Sequence, residues 1–199
     1  MRRDALLELF EENKASGYGT SGHMETLRSL AVEAAAFADP NGIVPVVEFG
    51  VAGGRSTSAL ILGATQNGQA RERVISYDIV ESRKARRLRD LAGDAWRFVH
   101  EDTREASRIP ECAMLFVDSL HTYAQVRAEL AHAGRVWKFL VFHDTITFGS
   151  VGADGETGQP LAGSLGIRPA IDELMIRDPT WKIRFHHTHS HGLLCLVRA

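Results

Sequence analysis

From residue 43 to the end of the chain, short apolar runs alternate with amphipathic helical stretches, and this rhythm restricts the possible folds more than any other feature. It predicts strands at 43–49, 73–79, 96–101, 113–118 and 138–144, and helices at 55–66, 82–92, 122–134 and 167–178. Strands joined through helices lie parallel, with the helices covering both faces of the sheet. The last two runs, 181–188 and 192–198, break the rhythm. About three residues separate them, too few for a helical crossover, so they must pair as an antiparallel hairpin. The fold class is therefore α/β, a Rossmann-like sandwich whose seven-stranded, mostly parallel sheet ends in a C-terminal antiparallel hairpin.

Two helices, 4–15 and 23–38, precede the alternation; the second carries apolar residues at Met24, Leu27, Leu30, Ala31, Ala34 and Ala35, and "ADPNG" at 38–42 stops it. A chain of 199 residues with 44% hydrophobic and 24% charged residues suits one domain with one sizeable core. Residues 1–40 form its amino-terminal helical cap and residues 43–199 its ligand-binding α/β core. That cap is expected either to cover a bound cofactor or to pair with a second copy in a homo-oligomer. The net charge of −2 gives no attraction to nucleic acid, and the basic cluster at 82–90 reads as the wet face of a helix. No apolar run is long enough for a membrane span. Cys112 and Cys195 sit beside or within apolar strands, which indicates neither a disulfide framework nor a zinc site, and a cytoplasmic location is expected.

The first strand runs into "VVEFGVAGGRSTSALI" at 46–61. In an open parallel sheet a ligand sits beyond the carboxyl ends of the strands, and this first turn is the floor of its crevice. Gly50, Ala52 and Gly54 keep side chains clear so that backbone N–H groups and the helix start can approach an anionic or polar group. Ser56 is placed to donate to a carboxylate there. Glu48 suits an ammonium group rather than a pyrophosphate, or else caps local N–H groups. Asp78 closes the second strand where an acidic side chain accepts from a ribose diol. Asp102 and Thr103, after the third strand, lie where an adenine edge would fall.

"EFGVAGG", "SYDI", "HEDT", "LFVDSLHTY" and "VFHDT" follow one another as do the motifs of class I S-adenosylmethionine (SAM) methyltransferases. The last two resemble the branch called methyltransferase family 24, related to the cephalosporin-hydroxylase-like and macrocin-type O-methyltransferases. The resemblance runs from about residue 43 to the end; the earlier helices match only loosely. It implies SAM as methyl donor, a small hydroxylated acceptor of sugar or natural-product type and, in several members, a Mg²⁺ ion holding that acceptor. An NAD-dependent oxidoreductase and a non-catalytic SAM-binding protein are the alternatives.

Methyl transfer to a hydroxyl needs in-line alignment and removal of a proton. Asp118 and His121 end the fourth strand; His143, Asp144 and Thr145 end the fifth. Asp118 and Asp144 are the candidate oxygen ligands of a metal, with Asp118 also facing the cofactor. Thr145 stands where the related enzymes carry a further Asp or Asn, and Leu120 where the macrocin type has an acidic residue. His121 is the candidate general base, at the offset from Asp118 at which the catechol-type enzymes place a lysine. His143 is the rival base or a third ligand. The segment 147–166 reads as a mobile lid loop over the acceptor. His186, His187, His189 and His191 read as a solvated turn rather than a metal site.

Overall fold

Seven strands build the main sheet: β1 Val46–Phe49, β2 Val74–Asp78, β3 Trp96–His100, β4 Cys112–Val117, β5 Val136–His143, β6 Trp181–His187 and β7 Leu193–Arg198. The computed structural model describes residues 1–17, 19–39, 42–68, 71–106 and 108–199. The strand order is β6-β7-β5-β4-β1-β2-β3. Strands β1 to β5 are parallel, while β7 runs antiparallel to both β5 and β6. The alternation and the short final connection thus fold as the sequence requires. Because β1 has β2 on one side and β4 on the other, successive crossovers leave it in opposite directions, and a crevice opens at the carboxyl ends.

Helices α1 Arg3–Ala15, α2 Met24–Ala35, α3 Arg55–Ala64 and α4 Arg83–Ala92 share one apolar core with Val46, Val74 and Met114 of the sheet. Helices α5 Tyr123–Glu129 and α6 Arg168–Arg177 pack with Val47, Phe49, Leu115 and Leu140 on the other face. The basic residues of α4 lie outward while Ala85, Leu88 and Leu91 are buried, as a wet helix face demands. Cys112 and Cys195 are buried and unpaired. No helix among the described residues is long and apolar enough to cross a membrane.

The structure departs from the sequence reading at several points. Strand β1 starts at Val46, not at 43, since Pro45 has no N–H for a ladder bond. Helix α2 ends at Ala35; Pro40 and Asn41 of the expected stop lie outside the described residues. Helix α1 does not cover the crevice, because Arg2 N–H donates to Leu91 O and Arg3 reaches Thr65 O, at the far ends of α4 and α3. Segment 147–166 is a two-stranded ribbon, Val151–Ala153 against Pro160–Leu165, rather than a structureless loop. Its base is tied by Ala153 N–H to His121 O and by Gly166 N–H to Ser150 O.

Helices α2 and α3 meet tightly at Gly63 of α3. A Cβ there would stand 2.3 Å from Arg28 O and 2.8 Å from the Ala31 Cβ of α2. Gly63→Ala is expected to push α2 off α3 and to lower stability by about 1–3 kcal/mol. Denaturant melting checks this; an unchanged midpoint would mean that the two helices do not depend on that contact.

Candidate active site

The turn after β1 is held by the end of β2. Asp78 Oδ2 accepts from the N–H groups of Val51 (2.7 Å) and Ala52 (3.0 Å), and Oδ1 accepts from Val80 N–H (3.0 Å). The N–H groups at Val51 and Ala52, expected to approach a ligand, are therefore engaged by Asp78. Gly50 has φ +88°, and a Cβ on it would meet Asp118 O at 2.1 Å, so glycine is what lets the turn lie against the end of β4. Ala52 adopts φ +45°, a strained conformation for a residue with a Cβ, and Gly54 caps α3 at φ +75°.

A cavity of about 440 Å³ opens between these strand ends, lined by Gly50, Ala52, Asp78, Asp102, Thr103 and Asp118. That volume falls in the usual range of small-molecule sites, about 300–1,000 Å³. Ile79 adds an apolar face, 62% exposed, and Gly155 of the ribbon reaches the opposite rim. Arg104 folds back on Asp102 through Nε and Nη2 and holds that carboxyl below its usual range. A larger hollow of about 1130 Å³ lies at the amino ends of the strands, near Pro45, Trp96 and Arg97, away from these groups.

Two sequence-derived candidates face the protein instead of the cavity. Glu48 is fully buried and accepts from Ser56 Oγ (2.6 Å), Thr57 Oγ1 (2.8 Å) and Ser76 Oγ (2.6 Å), with Trp96 Nε1 donating in turn to Ser76 Oγ. Burial pushes its pKa up to about 7 against these donors. Glu48 and Ser56 thus lock α3 to β1 and β2, through side-chain hydroxyls rather than through the local N–H groups of the capping alternative. A second buried carboxylate, Glu129, escaped the sequence reading. It accepts from Ser119 Oγ, Thr103 Oγ1 and Gln125 Nε2, and its other oxygen is buried without a hydrogen bond. Burial raises its pKa, and Ser119, Thr103 and Gln125 all line the cavity. A glutamate within a helix gives no local sign of such partners, two of which lie 10 and 26 residues away.

The four strand-end residues converge. His121 Nε2 lies 3.2 Å from Asp118 Oδ1 and 3.0 Å from Asp144 Oδ2, and its ring stacks on Phe148 at 4.9 Å. His143 Nδ1 lies 3.3 Å from Asp118 Oδ1 and 3.4 Å from Asp144 Oδ1, yet neither of its ring nitrogens makes a hydrogen bond of good geometry. One donor atom each from Asp118, His143 and Asp144 falls within 4.8 Å of the others. Asp144 is held at φ +58°, in the left-handed region. Burial alone would lower both histidine pKa values, but the two carboxylates outweigh it, raising His121 to about 9 and His143 to about 10. Both aspartates, despite burial, are held below the usual range by these histidines. Thr145 is turned away, bonded to His186 Nε2 at 3.0 Å.

The histidine turn is only partly solvated. His189 and His191 are exposed, but His187 is half-buried and stacks near His23, a fully buried residue that the sequence reading passed over. Burial, with His143 nearby, lowers the His23 pKa to about 4.

Residues 47–145 match the model of a family described as a methyltransferase domain. No curated protein matches the chain. Among solved structures, an O-methyltransferase from Bacillus cereus in complex with S-adenosylhomocysteine (SAH) is 17% identical, covering 98% of this chain and 91% of that one, with a TM-score of 0.63. An SAH-bound methyltransferase from Podospora anserina is 16% identical, with 98% and 88% covered and a TM-score of 0.62. A Burkholderia thailandensis 1,6-didemethyltoxoflavin N1-methyltransferase, with SAH and its acceptor bound, is 14% identical over 99% and 87%, with a TM-score of 0.59. These likenesses show a shared Rossmann-like fold.

The raised histidine pKa values carry a pH dependence of stability. In divalent-free buffer the contribution of His121 is complete below its unfolded value of 6.5 and is lost as pH rises through about 9. Denaturant midpoints are therefore expected to fall between pH 7 and pH 9.5, and to fall less in Asp118→Asn. A flat profile in the wild-type protein would contradict this charge assignment.

Proposed function

The chain belongs to the methyltransferase-domain family through residues 47–145, and from that premise we propose that it is a SAM-dependent O-methyltransferase of small hydroxylated molecules, assisted by a divalent cation. The observation that carries the proposal is the meeting of His121, His143 and Asp144 around Asp118, which itself lines the cavity. The oxidoreductase alternative has no such support, since the family match is to methyl transfer.

The residues fit SAM. Asp78 keeps one Oδ1 lone pair for a ribose hydroxyl beyond those given to Val51, Ala52 and Val80, and Ile79 offers an apolar face for a purine. Asp118 places negative charge where the ammonium of the methionine end would lie. When bound, the cofactor would supply an electrophilic methyl on a sulfonium, open to in-line attack by an acceptor oxygen with the neutral thioether as leaving group. The chain's own work is to place that oxygen and take its proton.

The residues also fit a divalent cation. Asp118 and Asp144 offer oxygen and His143 an unpartnered buried nitrogen, a mixed set suited to Mg²⁺ or, with its imidazole, Mn²⁺. His121 Nε2, between the two carboxylates, is the atom that accepts the hydroxyl proton. Neutralising the carboxylates removes the charge that holds its pKa near 9 and brings it toward the working range of a general base. Phe148, stacked on the ring, fixes its plane.

The test is methyl transfer from radiolabelled SAM to a panel of phenols, catechols and sugars, with Mg²⁺, with Mn²⁺ and with chelator. His121→Gln is expected to lower kcat by roughly 10²–10⁴-fold while leaving the SAM Kd within about threefold. Asp144→Asn is expected to abolish the dependence on added cation. Wild-type turnover by both variants would remove the catalytic assignment and leave the fold.

A further inference from the structure

A second ligand set lies beside the carboxylate centre and is built entirely of imidazoles. His23, at the start of α2, is fully buried. Its Nε2 lies 3.0 Å from the carbonyl oxygen of His189, 166 residues away. A carbonyl can only accept, so Nε2 carries the ring proton and Nδ1 holds a lone pair. That Nδ1 is buried and finds no donor, and the same is true of His187 Nδ1. An unsatisfied buried nitrogen is destabilising, and here two belong to neighbouring rings. The ring centroids are 5.9 Å apart for His23 and His187, 4.6 Å for His23 and His189, and 5.4 Å for His187 and His189. One nitrogen from each of the three rings lies within 4.8 Å of the others.

The backbone is shaped to bring these rings together. Ser190, His191 and Gly192 take successive positive φ values of 46°, 70° and 95°, which turn the β6–β7 connection back toward α2. A Cβ on Gly22 would stand 2.0 Å from Ser190 Oγ, so glycine lets the amino-terminal segment rest directly on that turn.

We propose that His23, His187 and His189 bind a transition-metal dication of the Zn²⁺ type, with water in the fourth position. Three neutral imidazoles suit Zn²⁺, Cu²⁺ or Ni²⁺, whereas Mg²⁺ and Ca²⁺ need oxygen ligands that this set lacks. The bond from His23 Nε2–H to a backbone carbonyl is the orienting contact that metal-bound histidines usually make. With metal–nitrogen distances of about 2.0–2.1 Å, tetrahedral ligand atoms stand roughly 3.4 Å apart, so small side-chain rotations close the site. The ion pins the amino-terminal segment to the C-terminal hairpin beside His143, whose ring is 5.5 Å from that of His23. Nothing in this assignment depends on the methyl-transfer reading.

The experiment is a Co²⁺ and Zn²⁺ titration of the full chain, carrying no affinity tag and stripped with chelator. Co²⁺ is read by its visible absorption and Zn²⁺ by competition, while SAH binding reports whether the cofactor site is intact. Co²⁺ binding displaced by Zn²⁺ is expected, one equivalent at the three imidazoles beside any ion held by the carboxylate centre, with the imidazole affinity at least about tenfold weaker in His189→Ala and His23→Gln. That equivalent is expected to persist in Asp118→Asn/Asp144→Asn. His189 is exposed, so its variant decides the question even if His23→Gln does not fold. Undiminished binding by His189→Ala overturns the proposal. So does loss of binding in the double aspartate variant, which places the ion in the carboxylate centre, and so does the lack of stoichiometric binding by the wild-type chain.

Discussion

Two carboxylates that must share one small space govern this molecule. Asp118 and Asp144 follow the ends of adjacent parallel strands, and an oxygen of each lies within reach of one donor of His143. Two unit charges about 4 Å apart at an effective dielectric of 20 repel by on the order of 4 kcal/mol. The fold answers with His121 and His143, each within 3.4 Å of both carboxylates. Protons on the two rings balance the charge in the free protein, and in the proposed mechanism a divalent cation takes over that task. In that proposal the same four groups form a charge-balanced structural cluster in one state and would serve as a base with metal ligands in the other.

That cluster needs a fixed platform, and buried polar networks supply it. Glu48 ties β1 to β2 and to the first turn of α3 through three hydroxyls, while Glu129 ties the segments after β3 and β4 to α5. Each is a carboxylate in a cage of neutral donors, and burial raises both pKa values. Buried networks of this kind hold one local geometry, because any shift strands several groups at once. Gly50 completes the platform by letting the first turn touch the end of β4, so that cavity and cluster share the Asp118 wall.

The alternation of apolar runs, the short final connection and the aspartates at the strand ends were legible because each is a local pattern of period or spacing. Phe49 and Val47 face one core and Val46 the other, so the pleat alone sends Glu48 toward α3. In "VVEF", where all four residues are buried, no polar alternation marks that direction. His23 could not be read as part of any cluster, since its partners lie more than 160 residues away and meet it only through a bend of positive-φ residues. Segment 147–166 was read as a loop because Gly and polar residues dominate it. Its ribbon is defined by backbone bonds, which leave little trace in side-chain pattern.

In the proposed mechanism the histidine protons and a divalent cation compete for the same two carboxylates. Calorimetric titration of Mn²⁺ or Mg²⁺ into the protein at pH 7.5, in buffers of different ionisation heat, counts protons released per ion bound. With His121 and His143 raised to about 9 and 10, binding is predicted to release between about one and two protons per ion. Binding without proton release, or no binding in the presence of SAM and chelator-treated protein, would show that the carboxylates are balanced by the histidines alone and that the cation has no place at the strand ends.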